Sequence, residues 1–192
     1  MGEEDVITDG RITDGRKARG QRRRAEIIDA TLTIVRRDGA AGVTHRTVAK
    51  EAGIPTSLST YYFATLDDLL VAALTSVAEN YTARIRGIID GRDDKLRGLA
   101  ELIAESAGPG RDRALAEREL STMAARRPAL RPVARRWREN VAELGGHCTD
   151  DPEAIASLVA TSDGLCTAVL LDDMPADVEH IEAVLRRAIG IA

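Results

Sequence analysis

Residues Thr44 to Leu70 read THRTVAKEAGIPTSLSTYYFATLDDLL, and this stretch decides the fold. Thr44 stands just ahead of Val48, Ala49 and Ala52, where its side-chain oxygen can accept from a free N–H of the first helical turn. Gly53-Ile54-Pro55 breaks that helix after about two turns, because Gly adopts angles other residues avoid and Pro lacks an N–H. A second short helix follows from about Thr56 to Tyr62. Ala49 sits where the two helices cross, with Val48 and Ile54 as the small core between them. Two short helices joined by a Gly-containing turn make a helix-turn-helix, which holds its second helix proud of the body to enter a major groove.

Working outward, Ile27, Ile28, Thr31, Ile34 and Val35 recur at helical spacing from near Arg22 until Asp38-Gly39 stops them. Residues 1–20 are polar, contain four glycines and show no apolar period, so they read as a disordered arm. Downstream, Thr65-Leu66-Asp67-Asp68 resembles a capping box and opens a long helix ending at Gly91. Further helices are expected at about 93–107, 112–126, 128–144, 152–171 and 175–189. The expected fold is all-α, with about nine helices and no strand. The expected domains are the arm at 1–20, a three-helix DNA-binding domain at 21–66, and a helical ligand-binding and dimerisation domain at 67–192.

Composition narrows the function classes. Aromatic residues are 3% of the chain, with one Phe and one Trp, which argues against a barrel, a sandwich or a stacking platform for single strands. Two cysteines, Cys148 and Cys166, make no disulfide framework. No apolar run reaches the roughly 18 residues a membrane span needs, and the first ten residues lack the order of a signal peptide. A cytoplasmic protein without membrane contact is expected. The net charge of −4 hides an asymmetry: residues 11–50 carry 11 Lys/Arg against 4 Asp/Glu, while residues 51–192 are acidic. A basic segment ahead of an acidic body fits an end that binds polyanions and a body that does something else.

Residues 22–74 resemble the DNA-binding domain of the TetR family of transcriptional regulators. The matching pieces are the Ile/Ala-rich first helix ending Arg-Asp-Gly, Gly42 to Ala49, Ala52-Gly53-Ile54, Thr60 to Phe63, and Leu66 to Leu70. The chain departs from the family's usual residues at Pro55, Ser59, Thr60 and Leu66, and Thr56 or Ser57 is expected to cap the second helix in place of Pro55. The resemblance assigns DNA contact to Thr44, His45, Arg46, Thr56, Ser57, Leu58, Ser59, Thr60, Tyr61 and Tyr62. Arg46 has two readings, a guanine edge or a phosphate; Leu58 has two, a thymine methyl or the core. Arg19, Arg22, Arg23 and Arg24, with Arg16 and Lys17 before them, form a basic arm that can lie along phosphates or enter a minor groove.

The resemblance further implies a homodimer through the helices at about 152–171 and 175–189, a double-stranded DNA operator, and an unidentified small-molecule effector. Tyr81, Leu102, Leu120, Met123, Trp137, Asp163 and Cys166 are the candidate pocket residues. Gly164, inside an apolar helix, points to a close helix approach. No catalytic residues, cofactor or metal are expected, since no nucleophile set or phosphate-binding loop stands out. The alternatives are a thiol- or metal-responsive DNA-binding sensor, for which His147-Cys148 and Asp150-Asp151 supply ligand types, and a helical interaction module that does not bind DNA.

Overall fold

The computed structural model describes the backbone of residues 5–171 and 176–191 and, apart from residues 5–14 and 16, their side chains. Among these residues are nine α-helices and no strand. They are α1 (Asp5–Asp38), α2 (His45–Glu51), α3 (Thr56–Tyr62), α4 (Leu66–Gly91), α5 (Lys95–Ala104), α6 (Arg111–Met123), α7 (Arg131–Gly146), α8 (Pro152–Leu171) and α9 (Val178–Ala188). The chain divides into two compact units before Leu74. The division falls inside α4, a few residues on from the expected boundary, because Leu69 and Leu70 are buried with the first unit's core.

In the first unit, α1 packs on α2 and α2 on α3. Ile27, Ile34, Val48, Ala49, Phe63, Leu69 and Leu70 are buried. The expected start of α1 near Arg22 is corrected: the helix begins at Asp5, so the described part of the arm is helical. Arg, Lys and Gln lose little side-chain freedom in a helix, no proline precedes Pro55, and lengthening a formed helix adds about one hydrogen bond per residue fixed. Gly39 (φ 75°) ends α1 and Gly53 (φ 64°) makes the turn after α2, as their places in the sequence demanded.

In the second unit, α5 and α9 pack together, α8 packs on α5, α7 and α9, and α6 meets α7 and α8. Arg97 donates to Glu182 at 3.1 Å and Glu179 at 3.0 Å, while Arg186 pairs with Glu182 at 2.9 Å and with Asp94, tying α5 to α9 by charge as well as by Leu99, Ile103, Ile181 and Leu185. Two sequence readings change at α8. An 18-residue window of this 20-residue helix reaches a mean hydropathy of 1.7, so one described helix is long and apolar enough to cross a membrane. Ser157, Thr161, Ser162 and Asp163 interrupt the apolar run but not the average. Here α8 buries Leu158, Val159, Val169 and Leu170 against its neighbours. Gly164, expected at a close approach, has no atom within 4 Å of where its Cβ would stand, and it lies on the exposed side. The expected start of the last helix, Pro175, lies outside the described residues.

Candidate nucleic-acid interface and ligand groove

The helix-turn-helix is built from local hydrogen bonds. The Thr44 side chain accepts from Thr47 N at 3.0 Å, and Thr47 Oγ1 in turn accepts from Thr44 N at 2.9 Å, a reciprocal cap that fixes the start of α2. The second box is present too: Thr65 N donates to Asp68 Oδ2 at 2.9 Å, and Asp68 N to Thr65 Oγ1 at 3.1 Å. The start of α3 departs from expectation, since Pro55 occupies the cap position and no side chain caps it.

Exposure sorts the residues assigned to DNA. Thr44, Arg46, Thr56, Ser57, Thr60 and Tyr61 are exposed, and His45, Leu58 and Tyr62 are half-buried. Tyr61 is 79% exposed, a large aromatic left in solvent, with its ring edge-on to Tyr62 at 5.2 Å. Arg46 pairs with no acid among the described residues. Thr60 donates its hydroxyl back to Ser57 O at 3.1 Å. Ser59 corrects the sequence reading: it is fully buried, because α3 turns it inward onto α2, where its Oγ lies 3.0 Å from His45 Nδ1. The other ring nitrogen, Nε2, is buried without a partner.

The four arm arginines separate in the same way. Arg19 and Arg22 are exposed. Arg23 pairs with Glu26 at 2.6 Å. The Arg24 guanidinium stands 4.9 Å from the centre of the Phe63 ring, a cation–π contact that ties the exposed side of α1 to the end of α3.

In the second unit a groove of about 330 Å³ opens between α6, α7 and α8, lined in part by Glu117, Arg118, Ser121, Arg131, Trp137 and Asp163. Arg118 Nη1 donates to Asp163 Oδ1 at 2.7 Å and Nη2 to the Asp163 carbonyl at 3.2 Å. Ser121 donates to Glu117 at 2.8 Å, and burial pushes the Glu117 carboxyl above the usual range. Arg131 is committed to carbonyls just past the end of α6, Ala124 O at 3.1 Å and Ala125 O at 3.2 Å. Of the candidate pocket residues, Trp137 and Asp163 line this groove. Tyr81 and Leu120 are core, Met123 is half-buried outside the lining, and Leu102 lines a separate cleft. Cys166 is half-buried, its thiol pushed up to about 12 by burial, and it does not line the groove. The apolar character that singled these residues out is what a helical core also selects. Among the described residues no three His, Cys, Asp or Glu side chains come together as metal ligands.

Known proteins match both units. A family model described as "Tetracyclin repressor-like, C-terminal domain" matches residues 90–191. The solved structure of a TetR-family member from Streptomyces coelicolor A3 is 45% identical, with a TM-score of 0.78, covering 88% of this chain and 99% of that one. The chain belongs to the TetR family of transcriptional regulators. The multidrug binding protein EbrR, solved with ethidium, is also 45% identical over 87% of this chain and 98% of its own, with a TM-score of 0.75; further EbrR structures hold malachite green and proflavin. The nicotine-responsive transcriptional repressor HdnoR of Paenarthrobacter nicotinovorans is 30% identical over 83 residues, covering 43% of this chain and 42% of its own. The chain spans less than half the length of HdnoR and of the other curated relatives it matches.

Within this TetR-family chain, sequence reading named His45, Ser59 and Asp163 but missed Arg118 and the pairings between residues far apart along the chain. Arg118 and Asp163 are 45 residues apart, and no local spacing relates them. His45 and Ser59 are 14 apart; the signal available was Ser59 itself, a polar residue at a position the family usually fills with Leu.

Proposed function

We propose that this regulator is a ligand-responsive repressor that binds an inverted-repeat operator as a homodimer. The observation that carries DNA recognition is the run of exposed groups along α2 and α3, with Arg46, Thr56, Ser57 and Tyr61 outside the core. Arg46 reads a base edge or holds a phosphate, and the Tyr61 hydroxyl donates to the backbone. Ser59 positions α3 through His45 and does not touch DNA. Arg19 and Arg22 add phosphate contacts from α1, whose contribution weakens with salt.

The dimer reading is supported by α8, whose 18-residue apolar window averages 1.7 in hydropathy yet is left mostly uncovered. Ala156, Ala160, Gly164 and Ala168 are incompletely covered along it, and Leu171 is 78% exposed. A second copy of the same face covers this stripe with two-fold symmetry, and such a dimer presents two recognition helices about 34–36 Å apart, or a multiple of it. The groove is the effector site, and ethidium, malachite green and proflavin on EbrR favour planar organic cations as its ligand class. Ligand binding biases a two-state equilibrium through α4, and DNA affinity falls by the ligand's differential affinity for the two states.

A thiol switch has less support. The Cys166 thiol at about 12 and the raised Cys148 thiol, which donates to Leu144 O at 3.6 Å, both stay protonated at neutral pH. The test is selection of bound duplexes from a random DNA library with the full chain. An inverted repeat that Arg46→Ala fails to recover is the expected result. Retention of duplexes without a consensus overturns it.

A further inference from the structure

Arg118 already holds a planar, delocalised cation inside the groove, and the surroundings hold it poorly. Its fork reaches one carboxylate oxygen of Asp163, at 2.7 Å, and one carbonyl, at 3.2 Å. Its Nε is buried with no acceptor. The neighbouring carboxylate on α6, Glu117, takes a hydrogen bond from Ser121 and none from Arg118. A guanidinium that satisfies two acceptors end-on, leaves one buried N–H unmet and forms no parallel two-bond fork with a carboxylate is weakly held for its type. The groove thus contains two carboxylates, a half-buried aromatic ring at Trp137 and, beside them, the incompletely bonded guanidinium of Arg118.

We propose that Arg118 is a built-in competitor for the effector: its guanidinium occupies the place of an organic cation's charge at Asp163, and the ligand binds by displacing it. The proposal rests on the reading that the groove takes organic cations. Displacement moves Arg118 toward solvent, which its 30% side-chain exposure permits. It leaves the ligand's charge between Asp163 and Glu117, with its rings against Trp137. The resident arginine sets the threshold of response, since every ligand must displace a cation tethered at high effective concentration.

Trp137 is the chain's one tryptophan, so its fluorescence reports the groove directly. The experiment titrates the full-length protein with proflavin and, separately, with the anionic dye anilinonaphthalene sulfonate, reading Trp137 quenching. Arg118→Met is expected to tighten proflavin by about tenfold. Arg118→Lys restores a tethered cation and brings the affinity back toward wild type, and Arg118→Met combined with Asp163→Asn loses the gain. Melting curves of each variant confirm that folded proteins are compared, and the Lys variant keeps the test open if the Met variant does not fold. Proflavin binding that Arg118→Met leaves unchanged or weakens overturns the competitor role while leaving the cation reading in place. Quenching by the anionic dye alone, in wild type and in Arg118→Met, overturns the cation reading and the proposal with it.

Discussion

Ser59 shows how one side chain sets the geometry of a recognition element. It is fully buried against His45, and removing its hydroxyl strands a second imidazole nitrogen beside the already unpartnered Nε2. Ser59→Ala is therefore expected to cost about 1–3 kcal/mol, the penalty for an unmet buried polar group, seen as a lower urea midpoint. Glu117 carries a pH signature of opposite sense to an ion-paired acid. Burial raises its folded pKa above the ordinary 4.5, so its contribution to stability is complete below that value and is lost as pH rises through the folded pKa. Glu117→Gln has no charge to desolvate. Its melting temperature is expected to match wild type near pH 4 and to exceed it at pH 7–8; a gap that narrows with rising pH contradicts the assignment. Residue by residue, the sequence revealed the capping threonines and Gly53, whose partners lie within four positions. It did not reveal the Ser59 and Arg118 contacts, which exist only once separate helices have packed.

At the scale of the element, the turn after α2 and the long α4 give a paired test of glycine. Gly53 holds φ at 64°, where a Cβ meets the following carbonyl, so Gly53→Ala is expected to destabilise by about 1–2 kcal/mol. Gly87 sits exposed inside α4 with no atom within 4 Å of the place a Cβ would take; Gly87→Ala is expected to stabilise by about 0.5–1 kcal/mol. Equilibrium unfolding of both variants checks the signs, and a loss at Gly87 as large as at Gly53 contradicts the reading of α4 as an ordinary helix there. Most helices were legible because apolar residues at a period of 3.6 mark both their existence and their buried face. The start of α1 was not. Its first half is polar in sequence and shows no apolar period, and periodicity cannot mark a helix that lacks one.

At the scale of the whole molecule, the boundary between the two compact units falls within α4, and the most apolar helix of the second leaves its small residues in the open. Gly164 lies on that open face. Gly164→Arg places a long charged side chain there, which a two-fold interface cannot accommodate without an unpaired buried charge. Sedimentation velocity is expected to show wild-type dimer and variant monomer at micromolar concentration, with the monomer still helical. The central claim, a dimeric reader of a specific sequence, is met most directly by one titration: fluorescence anisotropy of the selected inverted repeat against a scrambled duplex of equal length, at physiological salt. Binding to the repeat is expected to be at least about 10³-fold tighter, within the range of sequence-specific regulators, with two protomers per duplex. Equal affinity for the two duplexes, falling together as salt is raised, contradicts it.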